Sequence, residues 1–110
     1  MYEYRAYVRK VYDGDTITVD IDLGFGVVLK NQKLRLSGIN TPEVRGEQRQ
    51  DGLKVRDLVR SRIANKWVVI KTEKDKRGKY GRWLATVFEP GIEESINMWL
   101  LNEGHAVEYK

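Results

Sequence analysis

Leu34-Arg35-Leu36-Ser37-Gly38-Ile39-Asn40-Thr41-Pro42-Glu43 is the stretch on which the reading of the fold turns. Leu34 and Leu36 point one way and Arg35 the other, because side chains alternate across a pleated strand. Gly38 permits a bend or bulge, and Pro42 cannot donate to a ladder, so pairing stops there. After Glu43 the apolar spacing changes. Val55, Leu58, Val59 and Ile63 recur at helical intervals, which predicts a helix from about Gln48 to Ala64, ended by Asn65. Gly52, near its first turns, is a poor residue for a helix interior. The same stretch brings a guanidinium, a carboxamide, a backbone carbonyl and a carboxylate to one strand end. A purely structural strand end has little need of that set.

Upstream, Tyr2 to Val11 alternates loosely, and Asp13-Gly14 is a hairpin signal of the type I′ kind, in which both central residues take positive φ. Thr16 to Leu23 alternates cleanly. Ile17, Val19, Ile21 and Leu23 form the core face, and Thr16, Thr18, Asp20 and Asp22 the wet one. Gly24-Phe25-Gly26 turns the chain into a third strand, Val27 to Ile39, with Asn31-Gln32 as an expected irregularity. Downstream, Trp67-Val68-Val69-Ile70 reads as a buried strand and Trp83 to Phe88 as a fifth. Ile96, Trp99 and Leu100 mark a short second helix closed by Gly104. The order is three strands, helix, two strands, helix. A sheet of five strands on so small a protein best hides its edges by closing, which predicts a Greek-key barrel of the oligonucleotide-binding (OB) type. No repeat, linker or low-complexity segment divides residues 1–110, so the chain reads as one domain.

Composition narrows the chemistry. With 41% hydrophobic and 33% charged residues among 110, the chain is globular rather than disordered. It has no cysteine and a single histidine, His105, so thiolate and multi-histidine metal sites are excluded. A metal here would be held by oxygen, as calcium, magnesium and manganese are. The net charge of +4 is compatible with a polyanionic partner without requiring one. No stretch approaches a membrane span or the apolar core of a signal peptide. That leads us to expect a cytoplasmic chain, or a secreted one if a leader has been removed, and no membrane partner.

Three blocks hold the candidate chemistry. Asp13-Gly14-Asp15-Thr16 offers Asp15 beyond the needs of its turn. Asn40-Thr41-Pro42-Glu43 is equally readable as a helix lead-in, with Thr41 as cap and Glu43 as first-turn anion. Lys79-Tyr80-Gly81-Arg82 follows a charged loop and would pass for a solvated hairpin by itself. Together with Arg35 they make the parts of metal-assisted phosphodiester hydrolysis. A cation polarises the phosphate, a carboxylate takes a proton from water, and planar arginine forks stabilise charge on phosphorus.

These blocks, in this order and at these intervals with Asp75, resemble the thermonuclease (staphylococcal-nuclease-like) family over nearly the whole chain. The resemblance implies a five-stranded OB barrel and calcium-dependent cleavage of DNA and RNA with little sequence preference, single strands being favoured. It implies that Asp15 binds one calcium ion directly, that Asn40 stands where the family has an acidic ligand, and that Thr41 supplies a carbonyl. By the same likeness Glu43 is the general base, and Arg35 and Arg82 hold the scissile phosphate. Lys79 and Tyr80 would contact the neighbouring phosphate, with Asp13 beside the metal without binding it. Attack by a Glu43-activated water would break the bond to the 5′ oxygen and leave a 3′-phosphate. Asn40 removes a negative charge, from which a weaker calcium affinity is expected. Family members usually continue into a third helix beyond the equivalent of Lys110, so uncovered apolar surface and weak self-association are also expected. The alternative is a barrel that binds single-stranded nucleic acid without cutting it; a protein-interaction scaffold is a third reading.

Overall fold

The computed structural model describes residues 2–74 and 83–109. Its strands are β1 (Tyr2–Asp13), β2 (Thr16–Gly24), β3 (Val27–Leu36), β4 (Ile39–Asn40), β5 (Trp67–Lys74), β6 (Trp83–Phe88) and β7 (Val107–Glu108). Two α-helices, α1 (Arg49–Ile63) and α2 (Ile96–Asn102), join them, with a 3-10 turn at Gly46–Gln48 leading into α1. The long strands close in the order β1-β2-β3-β6-β5, with β3 and β6 parallel and the other pairs antiparallel. This is the five-stranded OB-type barrel expected from the element order. Among the described residues no helix is long and apolar enough to cross a membrane.

The alternation that marked β2 also builds the core. Val8, Val11, Ile17, Val19, Leu34, Leu36, Ile70 and Val87 meet inside the barrel, and Val55, Val59 and Ile63 of α1 join the same cluster. Buried side chains of this size each contribute roughly 1.5–3 kcal/mol. A buried amide is built in beside this cluster. Asn97 on α2 accepts from the Val87 N–H at 3.0 Å and donates to the Ser37 and Ala85 carbonyls at 2.9 and 3.1 Å. It ties α2 to the seam where β3 and β6 run parallel.

Several sequence expectations need correction. Asp20 is not on a wet face: it is 5% exposed, accepting from the Asn31 N–H at 3.0 Å and from Arg9 Nε at 2.6 Å. These donors hold its carboxyl below the usual range and pin the β2–β3 irregularity, where Asn31 has φ 57°. Trp67 is 42% exposed rather than buried, because β5 alternates instead of burying its whole apolar run. The third strand stops at Leu36. Gly38, at φ 76°, turns the chain, and residues 39–40 pair with β7 instead.

The Asp13-Gly14 turn differs too. Asp13 pairs with Thr16, so Gly14 and Asp15 are the central residues, and neither has positive φ. Gly14 is required by contact instead: a Cβ there would lie 2.7 Å from Val55 Cγ1 and 2.9 Å from Thr41 Oγ1. Gly52 has the same explanation. A methyl at that position would overlap the Glu43 carbonyl and sit 2.8 Å from the Val44 nitrogen. The helix therefore carries glycine so that the Glu43 backbone can lie against it.

Gly52→Ala is consequently a test of sign. Helix propensity alone would stabilise the variant by about 1 kcal/mol, whereas overpacking costs about 1–3 kcal/mol or more when backbone must move. Urea unfolding should show a lower midpoint than the parent. A higher midpoint would mean that the helix is not docked on Glu43 as described.

Candidate active site

The β1–β2 turn, the end of β3, β4 and the segment before the 3-10 turn meet at one polar cleft of about 260 Å³. Asp13, Asp15, Thr16, Arg35, Asn40, Thr41, Glu43 and Gln48 line it. Residues 13, 15, 35, 40, 41 and 43, singled out from the sequence, are thus brought together. Lys79, Tyr80 and Arg82, with Asp75, lie outside the described residues.

Local hydrogen bonding explains how the turn presents its acids. The Asp13 carboxylate accepts from the Asp15 N–H at 3.1 Å, the short-range bond that aspartate makes in turns. The Asp15 carbonyl accepts from the Leu36 N–H at 2.8 Å, which fastens the turn to the end of β3. Asp15 is 7% exposed. Its Oδ2 accepts from the Thr41 N–H at 3.0 Å and lies 3.5 Å from Arg35 Nη2, while its Oδ1 accepts from the Thr16 hydroxyl at 3.3 Å. One buried carboxylate therefore joins three segments distant in sequence.

Arg35 is 9% exposed although it points away from Leu34 and Leu36. Its Nη2 donates to Asn40 Oδ1 at 2.6 Å and its Nη1 to the Leu36 carbonyl at 3.4 Å. The Tyr109 ring lies 4.7 Å from the guanidinium carbon, carried there by the β4–β7 pairing and the Tyr109 N–H bond to the Gly38 carbonyl. A guanidinium fixed on several sides loses little freedom when it meets an anion, and its fork suits two phosphate oxygens. Glu43 is exposed, and its N–H donates to Gln48 Oε1 at 3.2 Å. Its carboxylate is thus at the open side of the cleft while its backbone is held against α1.

Sequence reasoning gave no role to three participants. Thr16 belonged to the Asp13-Gly14-Asp15-Thr16 block but otherwise read as an ordinary wet-face strand residue. Gln48 was visible only as a helix start. Tyr109 had no local signal, since its place depends on the pairing of residues 107–108 with 39–40.

The acid pair is electrostatically unfavourable by itself. Burial, together with the hydrogen bond to Asp15 and that residue's negative charge, pushes the Asp13 carboxyl up from 3.8 to about 6. Thr41 Oγ1 is buried without a hydrogen-bond partner among the described residues. Among the described residues no three Asp, Glu, His or Cys side chains converge as a metal cage. What the cleft does offer is two neighbouring carboxylates, an amide oxygen and a threonine, a hard-oxygen set of the kind calcium or magnesium accepts.

Comparison with known proteins bears on the same residues. A family model described as Staphylococcal nuclease homologue matches residues 33–110, a range that includes Arg35, Asn40, Thr41 and Glu43. A thermonuclease of Staphylococcus hyicus is 34% identical over 102 residues, covering 90% of this chain and 56% of that protein. A thermonuclease of Staphylococcus intermedius is 30% identical with the same coverage, and an uncharacterized protein of Methanocaldococcus jannaschii is 30% identical over 129 residues. The chain spans 56% to 59% of the length of these curated relatives.

The Asp13 shift has a signed consequence in the cation-free protein. A carboxyl whose pKa is raised on folding contributes stability below its unfolded value, and that contribution is lost as pH rises from about 4 to about 6. Asp13→Asn should therefore raise the melting temperature in chelator at pH 7.5 and leave it unchanged near pH 3.5. A variant less stable than the parent at pH 7.5 would contradict the cost of holding a buried Asp13 carboxylate beside Asp15.

Proposed function

The chain belongs to the staphylococcal nuclease homologue family, and from its cleft we propose that it is a calcium-dependent endonuclease cutting DNA and RNA with little sequence preference. The observation that carries this reading is the meeting of the buried Arg35 guanidinium, the Asp13–Asp15 acid pair and the exposed Glu43 carboxylate in one polar cleft. Those are the roles phosphodiester hydrolysis needs: a fixed cationic clamp, a place for a hard cation, and a base open to water. None of these groups reads an unpaired base, which suits cleavage of many sequences.

Each residue then has a role. Asp15, Asn40 and Thr41 would hold the cation, with Asp13 beside them, and the ion when bound would polarise a phosphate oxygen. Glu43 accepts a proton from the attacking water. Water oxygen bonds to phosphorus, the bond to the 5′ oxygen breaks, and that oxygen takes a proton from solvent as it leaves, so the phosphate stays on the 3′ side. Arg35 meets the phosphate oxygens in an orientation already set by Asn40 and Asp15, and Arg82 would be its second clamp. Lys79 and Tyr80 would take the adjacent phosphate, with single strands as the better substrate.

Asn40 is the observation that favours a second reading, binding without cutting. Its Oδ1 is directed to Arg35, and its amide carries no charge for a cation. Calcium affinity follows ligand charge, so Asn40 should raise the calcium requirement by about one to two orders of magnitude.

Denatured DNA incubated with calcium, and separately with chelator, distinguishes these readings. Digestion only with calcium is expected, and Glu43→Gln should slow it by roughly 100-fold or more without loss of the fold, the usual scale for a general base. Asn40→Asp should reach half-maximal rate at lower calcium. Retardation of the DNA without digestion at any calcium concentration would establish the binder instead, and wild-type-like rates in Glu43→Gln would remove the base from its role.

A further inference from the structure

A second feature lies on the outer wall of the barrel, along β1. Its outward residues alternate cation and aromatic: Arg5, Tyr7, Arg9, then Lys10 and Tyr12 after an irregularity in the β1–β2 ladder, which ends at Asp13 in the cleft. Trp67 stands opposite Tyr7 on β5 and extends the row sideways. The Arg5 guanidinium lies 4.8 Å from the Trp67 ring centre, Trp67 and Tyr7 meet edge to face at 5.4 Å, and Arg9 lies 4.7 Å from the Tyr7 ring. Four side chains thus form one continuous stack. It is not buried, Trp67 being 42% exposed and Arg5 and Arg9 exposed as well.

We propose that this row is a track for single-stranded polynucleotide, extending the cleft along the outside of β1. The inference rests on the nucleic-acid substrate proposed above but not on its hydrolysis. Aromatic faces accept any base, and guanidiniums beside them neutralise phosphates, which is the combination that proteins use to hold single strands without reading sequence. Arg5 and Asp13 are eight residues apart, roughly 26 Å at about 3.3 Å per residue, a length suited to several nucleotides. The charge on this wall favours the same partner. Arg9 and Asp20 neutralise each other as an ion pair, so Arg5 is the guanidinium of the stack that meets phosphate; among the described residues Asp22, opposite Arg5, and Glu3 oppose one. Lys10 and Lys66, both exposed, add cationic charge toward the Asp13 end of the row.

The test separates this track from the cleft. Binding of fluorescent oligothymidylates of 20 and 4 nucleotides is measured by anisotropy in chelator, for the whole chain and for an Arg5→Gln, Trp67→Leu variant. The 20-mer should bind the variant about tenfold more weakly, since one stacking contact and one phosphate contact are lost, and its salt slope should fall by about 0.7. The 4-mer, held at the cleft, should bind parent and variant alike. Circular dichroism checks the variant's fold. If that variant fails to fold, Arg5→Gln with Lys10→Gln, both on exposed side chains, is expected to change the salt slope in the same direction. Equal affinity of parent and folded variants for the 20-mer would overturn the track even if calcium-dependent digestion is observed. A selective loss of 20-mer binding would uphold it even if no digestion is found.

Discussion

The site depends on one buried carboxylate. Asp15 accepts from the Thr41 N–H and faces Arg35, while its own carbonyl receives the Leu36 N–H. Taking a charge out of water costs several kcal/mol unless donors surround it, and here the donors come from β3, from the segment after β4 and from Thr16. The turn cannot move without releasing all of them. The same carboxylate that orders the backbone also keeps a lone pair available at the cleft, so architecture and chemistry share an atom group.

Glycine serves the same end by a different route. At Gly14 and Gly52 what matters is the missing side chain, not unusual backbone angles: one lets the turn rest on Thr41 and Val55, the other lets the Glu43 carbonyl rest on α1. Asp13–Asp15 and Glu43 are therefore set in the cleft by two close approaches of glycine backbone. Burial of Asp13, with the adjoining Asp15 carboxylate adding to it, raises the Asp13 pKa, a cost the protein retains where a cation would relieve it. Arg35 is fixed independently by Asn40, the Leu36 carbonyl and Tyr109. Such prior ordering is what makes a phosphate clamp effective.

Much of this was legible in residue order. Leu34 and Leu36 announced a strand face, Val55 to Ile63 a helix, and five strands around one helix announced a closed barrel. Of the site blocks, only Asp15 exceeded what its turn requires; Asn40 to Glu43 read equally well as a helix lead-in, and their meeting with Asp15 and Arg35 in one cleft came from the fold. What was not legible depends on contacts between distant segments. Asp20 looked solvated because alternation ignores the bulge whose Asn31 N–H it captures. Trp67 looked buried because an apolar run does not say which of its members face out. Gly14 was read as a positive-φ residue because the dipeptide signal carries no information about Thr41. Tyr109 belongs to the site only through the β4–β7 pairing.

We propose that Asp13–Asp15, Arg35 and Glu43 form one center for cation-assisted attack on a phosphodiester. The decisive measurement is a crystal structure with calcium and a non-hydrolysable oligonucleotide. One calcium ion is expected against the Asp15 carboxylate, a phosphate on the Arg35 guanidinium, and a water between that phosphate and Glu43. A nucleic-acid strand bound with its phosphates away from Arg35, and no cation near Asp15 at saturating calcium, would contradict it.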